Sequence, residues 1–359
     1  MAEARSIETL SVTFTAGVIA GTFLPETGPI LPCVLLSLLL LPFLFPQRII
    51  RLSSPSTVIL MGAVFLLLGL FCAWNGRQPA PDTHSWLRGL AEEAVFRLRE
   101  HIGSLPFRSP ETAPVLLALL TGDRSSLSPE IQHVFRDSGA SHLLALSGLH
   151  IGIIYLVFDK LTRLLGRSPA VRKLRFVLLV TGAGFFTLMT GAGPSIVRAF
   201  LFIVINETLH LLTRPGKPVR VLCLALLIQL VLDPSVIGNT GFQLSYLAMA
   251  GIFLLYPVLE RWYPPSGKYD PLRKIWSLAA LSISCQIFTG PLAWMRFHSF
   301  PRFFLLTNLL AIPVTTGLMT ASVACVALSA PGLCPSWLYT ATDGICRLLL
   351  WILEVIASL

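Results

Sequence analysis

The sequence predicts an all-α fold, a polytopic membrane bundle of about 9–11 spanning helices with interfacial amphipathic helices and a potential for broken or re-entrant ones. Only 13% of the 359 residues are charged, and 54% are hydrophobic. An ordinary soluble domain carries about 25% charged residues, so this composition excludes a soluble enzyme. The mean hydropathy is +0.75, and apolar stretches long enough to cross roughly 30 Å of hydrocarbon recur throughout the chain.

The spans follow the apolar stretches in chain order. Two stretches are irregular: the one at 219–233 is short, and the one at 303–329 is long and contains Pro313, so either could be re-entrant or broken. The first stretch lacks the flanks of a cleaved signal and is interpreted as a retained helix. The predicted spans lie at about 9–25, 30–45, 57–74, 140–158, 174–190, 195–213, 219–233, 241–259, 275–294, 303–329 and 337–357.

Basic residues predict the orientation of the chain. The formal net charge is +9, and 15 of the 27 Lys and Arg residues fall in four short loops. With the spans above, these loops lie on one side, which the positive-inside rule assigns to the cytoplasm together with the N-terminus. The positive net charge is therefore explained mainly by the basic residues of the cytoplasmic loops. The loops contain Arg48 and Arg51; Lys160, Arg163, Arg167, Arg172, Lys173 and Arg175; Arg214, Lys217 and Arg220; and Arg261, Lys268, Arg273 and Lys274.

The chain has one sizeable polar region, which divides it into domains. This region is too short for an independent enzyme and is rich in helical patterns. The predicted domains are N-terminal transmembrane helices at 1–75, an extracytoplasmic amphipathic helical collar at 76–139, a transmembrane core at 140–330, and a C-terminal transmembrane helix at 331–359.

Three helices are predicted in the collar. Apolar residues recur at three- and four-residue spacing over 86–102, as in a helix that lies in the membrane interface. A second helix ends at Gly122 and Asp123, and a third begins after Ser128 as N-cap and stops near Gly139. All the basic residues of this region are arginines. We expect most of them to pair with its acidic residues, although the guanidinium fork also suits phosphate.

The most informative segment is 141–158, which is apolar enough for a bilayer yet contains His142, Ser147, Gly148 and His150. Such residues cost free energy in hydrocarbon unless they pack against other helices or line a water-filled path. In a continuous helix, Ser147 and His150 would share a face, and His142 would lie on roughly the same face. The segment therefore predicts an intramembrane site.

Two chemical alternatives remain open for this segment. A serine nucleophile with a histidine base is conceivable, but the Gly-x-Ser-x-Gly context and an orienting carboxylate are missing nearby. A metal site of His142 and His150 with His133 is also conceivable, but an eight-residue spacing is not a ligand signature. Packing beside a polar cavity is favoured. We predict no catalytic residue, no metal and no cofactor.

A second motif spans residues 190–199. Gly191 loosens the end of one span, and Pro194 and Ser195 begin the next helix. Arg198 lies in the first turn of that helix, where the helix dipole disfavours a cation. We expect a partner for it: a carboxylate, the carbonyls of the adjacent turn, or an anionic substrate.

Polar residues recur farther along the apolar sequence. Asn206 and Glu207 lie within one predicted span, and an ionisable residue there is a functional hypothesis by default. Gln243 and Ser245 open a later span, where Gln243 needs interhelical hydrogen bonds or water. Near the C-terminus, Asn308 and Pro313 interrupt another span, which is tolerated where neighbouring helices or a cavity satisfy the freed backbone groups.

Taken in order, these pieces resemble the ComEC family of competence proteins over about residues 110–325. The order of the motifs, more than any single one, makes the resemblance specific. The principal signature matches residues 119–124 (LLTGDR) and 139–150 (GASHLLALSGLH), the second block 194–199 (PSIVRA), the third 241–246 (GFQLSY), and a weaker fourth runs from Pro291 to Asn308 and Pro313.

The resemblance implies an inner-membrane channel core for uptake of single-stranded DNA during natural transformation, not an enzyme. The implied partners are the transported DNA, the lipid bilayer, separate OB-fold, nuclease and motor proteins, and further copies of the chain. The hypothesis assigns the substrate path to His142, Ser147, Gly148, His150, Ser195, Arg198, Asn206, Glu207, Gln243 and Ser245, and the structural motifs to Gly122, Asp123, Gly139, Gly191, Pro194, Asn308 and Pro313.

The sequence also departs from the family pattern. Members usually carry an extracytoplasmic OB-like domain after the first spans and a metallo-β-lactamase-like domain after the last. We expect neither here, and the nuclease function and its metal are not carried over. The main alternative is a reduced paralogue that transports a small anionic solute or a lipid intermediate, with Glu207 and the histidines as a proton relay. An intramembrane hydrolase using Ser147 and His150 is a third hypothesis.

Overall fold

The described residues form helices joined by turns and loops, with no strand among them, which confirms the predicted all-α class. The computed structural model describes residues 2–23, 55–76, 86–163, 166, 168–212, 216–264, 270–298 and 301–359. The predicted span at 30–45 lies outside these residues. The helices are α1 (Ala2–Phe23), α2 (Pro55–Asn75), α3 (Trp86–Ser104), α4 (Thr112–Thr121), α5 (Pro129–Asp137), α6 (Ser141–Leu144), α7 (Gly148–Arg163), α8 (Pro169–Met189), α9 (Pro194–Leu211), α10 (Pro218–Leu232), α11 (Thr240–Leu254), α12 (Tyr256–Glu260), α13 (Pro271–Phe297), α14 (Phe304–Ser329) and α15 (Ser336–Ala357).

Four of the described helical stretches are long and apolar enough to cross a membrane. They correspond to the predicted spans at 195–213, 241–259, 275–294 and 303–329, and they make this a membrane protein. They are Pro194–Leu211, Thr240–Glu260, Pro271–Phe297 and Phe304–Ser329, and shorter apolar helices cover Ile7–Phe23, Met61–Asn75, Thr112–Thr121 and Pro218–Leu232.

The helix break lies at a different position from the two considered in the sequence. α14 continues through Pro313, and α10 is a single helix of 15 residues. The predicted span at 140–158 is instead divided by non-helical residues 145–147 into α6 and α7. The Ser147 hydroxyl accepts a hydrogen bond from the Leu149 N–H (3.2 Å), so this side chain satisfies a free donor at the start of α7.

Local chemistry sets the helix ends of the collar region. The Ser128 side chain accepts from the Ile131 N–H and Pro129 follows it, as predicted for the start of α5. Gly122 ends α4 with φ 78°, a conformation that favours glycine. Gly139 has φ 79°, and a Cβ there would lie 2.6 Å from the Pro301 Cβ. Gly139 therefore serves both a turn and a close packing contact.

Contacts divide the chain into two compact units, and α1 packs tightly on α2 in the first of them, Met1–Thr83 with Leu201–Gln243. A Cβ on Gly17 would collide with the Leu66 carbonyl oxygen, and one on Gly69 with the Phe14 carbonyl oxygen. Close helix approach at small residues is the usual packing mode in membranes. These two glycines therefore set the distance between α1 and α2.

Replacing Gly17 or Gly69 with Ala should lower the melting temperature of the purified protein. The added methyl overpacks the contact by about 1–3 kcal/mol, which exceeds the roughly 1 kcal/mol gained from helix propensity. Gly62→Ala, on α2 like Gly69, is the control, because its Cβ would lie 3.5 Å from Thr13 Cγ2, an ordinary contact. Equal melting temperatures for Gly17→Ala and Gly62→Ala in a thermal shift assay would contradict this packing.

The second unit, His84–Phe200 with Leu244–Leu359, has a core built from the collar helices, α14 and α15. Both α14 and α15 contribute one face to this core, and α15 also buries Asp343, whose Oδ2 accepts from the Arg108 N–H at 2.7 Å. The fully buried side chains include Ile102, Leu116, Leu119, Phe135, Leu318, Met319, Leu349 and Leu353.

The collar helices contact α14 at both of its ends. Near the start, Thr307 Oγ1 donates to the Ser138 carbonyl (2.6 Å), and at the end Ser329 Oγ lies 2.7 Å from His101 Nε2. A helix of 26 residues is about 39 Å long. The collar helices are therefore attached to α14 at two separate places, and α5 leads directly into α6 and the break at 145–147.

Candidate functional site

The break at 145–147 creates a polar site at the start of α7. Ser147 Oγ lies 3.1 Å from His150 Nδ1, and the Ser147 N–H donates to the same nitrogen at 3.2 Å. A ring nitrogen that accepts from a backbone N–H carries no proton, so the neutral imidazole has its proton on Nε2. His150 is fully buried, and its Nε2 has no hydrogen-bond partner among the described residues. The site thus contains a buried donor without an acceptor.

Arg198 supplies a second buried donor at the same site. Its side chain is 7% exposed, and its Nε also has no hydrogen-bond partner in the described part of the chain. One terminal guanidinium nitrogen lies 3.2 Å from the position that a Cβ on Gly148 would occupy. Glycine at 148 therefore leaves room for the cation beside the first turn of α7.

Tyr246 also lies near this cation. The Arg198 guanidinium carbon lies 6.0 Å from the centre of the Tyr246 ring, at the outer limit of a cation–π contact. No ion pair joins Arg198 to a carboxylate of the described residues. The described residues therefore do not supply the carboxylate that was one of the partners expected for Arg198. The three sequence blocks at Ser147, Arg198 and Tyr246 meet at one place.

The turn before Arg198 has the predicted form. Gly191 has φ 77°, and the Ala192 N–H donates to the Thr187 carbonyl at 2.8 Å, which closes the end of α8. Pro194 is the first residue of α9, and Ser195 follows it half-buried. Ser245 is half-buried on α11, next to Tyr246. This turn fixes the start of α9 and with it the position of Arg198.

His142 is not part of this site. It lies on α6 with an exposed side chain, and its Nδ1 is 3.1 Å from the Gly139 carbonyl oxygen. The break separates α6 from α7, so the face that helical spacing assigned to His142 and His150 is interrupted. His133 lies against Arg136 on α5. Within the described residues, no group of three or more His, Cys, Asp or Glu side chains is arranged to hold a metal ion.

Three predicted path residues belong to the other unit. Glu207 is 7% exposed and Asn206 half-buried, both on α9. Gln243 Nε2 donates to the Ile237 carbonyl at 2.6 Å. A short 3₁₀ turn, Pro234–Gly238, places this carbonyl within reach of the side chain. The amide donor predicted to bond another helix is thus satisfied locally.

Two further motif residues, Asp123 and Asn308, lie away from the Arg198 site in the sequence and differ in their hydrogen bonding. Hydrogen bonds from Ser125, with Arg99 at 3.2 Å, hold the pKa of Asp123 below its ordinary value. Asn308 is half-buried, and its Oδ1 is without a partner among the described groups. Tyr246 lies at the site but is not among the predicted site residues, although it closes the third sequence block. An aromatic ring at the polar start of a span is the sequence signal that marks it.

The chain matches a family profile described as Competence protein over residues 119–359, about two thirds of its length. The Uncharacterized protein YcaI of Escherichia coli K12 is 31% identical over 249 residues, 66% of this chain and 32% of YcaI. ComE operon protein 3 of Bacillus subtilis is 27% identical over 224 residues, 62% of this chain and 27% of its own. Recombination protein 2 of Haemophilus influenzae is 26% identical over 214 residues, 57% of this chain and 27% of its own.

The chain spans about a third or less of the length of these three relatives. No solved structure matches it. The matched region contains all the residues of the Ser147, Arg198 and Tyr246 site, together with α14 and α15. Because the family profile covers well over half of its length, the chain belongs to the ComEC family of competence proteins.

Proposed function

We propose that this chain is the membrane core through which a single DNA strand passes into the cell during natural transformation. It would lie in the bacterial inner membrane with its N-terminus in the cytoplasm and the collar outside. The observation that carries the proposal is the pair of buried donors, His150 Nε2 and Arg198 Nε, at the start of α7. The family membership supports it, since the relatives include ComE operon protein 3 of Bacillus subtilis and Competence protein ComA of Neisseria gonorrhoeae.

The chemistry of the site favours an anion. A buried polar group without a partner costs about 1–3 kcal/mol, and more if it is charged. Both unpaired groups here are donors, so an incoming phosphate oxygen would satisfy them, and the amide dipoles at the start of α7 would add to the attraction. The neighbouring Ser147 hydroxyl adds a further polar group. The site therefore complements a phosphate.

A single such site also suits movement of the strand. Conduction requires binding that is favourable enough to admit the strand but weak enough to release it. A strand held by many cationic contacts would dissociate slowly, because each phosphate contact adds to the affinity. One buried arginine offers a temporary contact for successive phosphates. His142, Ser195, Asn206, Glu207, Gln243 and Ser245 remain proposed path residues.

The alternative with a specific supporting observation is transport of a small anionic solute or a lipid intermediate. The donors at Arg198 and His150 would serve such an anion equally well, and the buried Glu207 would serve a proton relay. A hydrolase is less well supported. Ser147 and His150 are in contact, but no described carboxylate orients the second ring nitrogen, as the triad arrangement requires.

Deleting the gene from a naturally competent host should abolish uptake of labelled DNA and lower the transformation frequency, and expression of the chain should restore both. Unchanged uptake after deletion would reject the channel and favour the solute transporter.

Ser147→Ala distinguishes a hydrolase from a channel, because loss of the hydroxyl would abolish covalent catalysis but leave conduction largely intact. We expect the Ser147→Ala strain to retain most of its uptake. Separate OB-fold, nuclease and motor proteins, and further copies of this chain, are the proposed partners.

A further inference from the structure

The helix α5 has two chemically different faces. Ile131 and Phe135 are buried in the core of the second unit. Gln132, His133 and Arg136 are exposed at three- and four-residue spacing on another side of the same helix. The core packing on one face holds the polar face rigidly in place.

This polar face forms one wall of a cavity of about 290 Å³. Arg124 and Ser141, both exposed, supply its other polar groups, and Pro129 and Leu144 complete the lining. The volume is close to the lower end of the range for ligand pockets, roughly 300–1,000 Å³. Ser141 begins α6, so the cavity lies just before the break at 145–147 along the chain.

The sequence predicts that most arginines of the collar pair with acidic residues, but the two arginines of this cavity do not follow that pattern. Three other arginines of the collar pair with acidic side chains: Arg88 with Glu92 (3.3 Å), Arg97 with Glu93 (2.7 Å) and Arg99 with Asp123 (3.2 Å). Among the described residues, Arg124 has no ion pair with a carboxylate.

Arg136 has only a loose acidic contact. It lies 3.6 Å from its neighbour Asp137 in the chain, with both side chains more than half exposed, and such a pair contributes little. Two guanidinium groups thus line one cavity, which favours an anion between them.

We propose that this cavity binds the phosphodiester backbone of single-stranded DNA before the strand reaches the Arg198 site. A guanidinium fork matches two phosphate oxygens, and the Gln132 amide and the Ser141 hydroxyl offer neutral donors. Among the described residues, no Phe, Tyr or Trp side chain lines the cavity. Contacts of this kind hold the backbone without reading the bases, so binding is independent of sequence. The identity of the strand rests on the proposed function, whereas the phosphate chemistry does not.

The test measures binding of a short fluorescent single-stranded oligonucleotide to the purified chain in phosphatidylcholine nanodiscs. Arg124→Gln/Arg136→Gln should weaken binding roughly tenfold at low salt. Each phosphate contact on a single strand contributes about −0.7 to the slope of log K against log salt. Removing two contacts should therefore make this slope less steep by about 1.4. Arg88→Gln/Arg97→Gln is the matched control, because it removes the same charge from exposed arginines that have acidic partners. The control should bind with nearly wild-type affinity.

Equal losses in the two double variants would overturn the site, because they would indicate net charge alone. The site would also be overturned if the Arg124→Gln/Arg136→Gln variant bound the oligonucleotide normally in phosphatidylcholine and lost binding only in phosphatidylglycerol. The two arginines would then act on an anionic lipid headgroup. If the double variant has a lower melting temperature, Arg124→Gln alone is compared, because Arg124 has no acidic partner to lose. This assay contains no transport step. Oligonucleotide binding that depends on the pair, in a chain whose deletion leaves uptake unchanged, would reject the channel and retain the cavity.

Discussion

Replacing Arg198 with Met should reduce uptake of labelled DNA by about ten- to hundredfold without lowering the melting temperature of the protein. A hydrogen bond from a charged donor to a phosphate contributes about 1.5–3 kcal/mol, and each 1.4 kcal/mol is a factor of ten. Met fills a similar volume but has no charge. Because Arg198 is 7% exposed and has no carboxylate partner among the described residues, burying its charge costs stability whenever no anion is bound.

The expected pattern is therefore a loss of function with stability retained or increased. The contact with Tyr246 adds a smaller opposing effect, because a cation–π pair contributes about 0.5–2 kcal/mol. Arg198→Lys keeps the charge but not the planar fork, and we expect uptake between those of the wild type and Arg198→Met. Arg296→Met is the control, since Arg296 is exposed at the end of α13. A large drop in melting temperature for Arg198→Met would indicate a structural role instead.

Those parts of the fold that depend on local chemistry could be predicted from the sequence. The N-cap at Ser128 and the start of α9 at Pro194 follow from side chains and dihedral angles within a few residues. The long apolar stretches likewise specify helices, because an unpaired backbone group is costly in hydrocarbon. The glycines at 122, 139 and 191 have positive φ at the turns where the sequence places them.

The break at 145–147 could not be predicted, because residues 143–146 are apolar and continue the pattern of a helix. Ser147 competes for the backbone through its hydroxyl, and whether the cap or the helix wins depends on tertiary packing. Pro313 illustrates the opposite case: its local preference is to end a helix, yet α14 continues through it. The contact of Arg198 with Tyr246 joins residues far apart in sequence, which no local pattern encodes.

The second large effect is expected at Asp159, which joins α7 to α8. Asp159 is 5% exposed; its Oδ2 accepts from Arg163 Nε at 2.7 Å, and it also contacts the guanidinium of Arg175. Removing one partner of a buried ion pair costs about 3–5 kcal/mol, because the other charge is left uncompensated. Asp159→Asn should therefore lower the melting temperature strongly. It should also reduce DNA uptake, since α7 begins at Gly148 beside the Arg198 site.

The two arginines should differ in their contributions. Arg163 is 65% exposed, so Arg163→Gln should cost no more than about 1 kcal/mol. Arg175 is 25% exposed, so Arg175→Gln should cost more. The decisive variant is Asp159→Leu/Arg175→Leu, because exchanging a buried pair for apolar residues is often neutral or stabilising. If this double variant melts well above Asp159→Asn, the unpaired charge is the source of the loss. If it melts as low as Asp159→Asn, the hydrogen bond to Arg163 is more important than its exposure indicates.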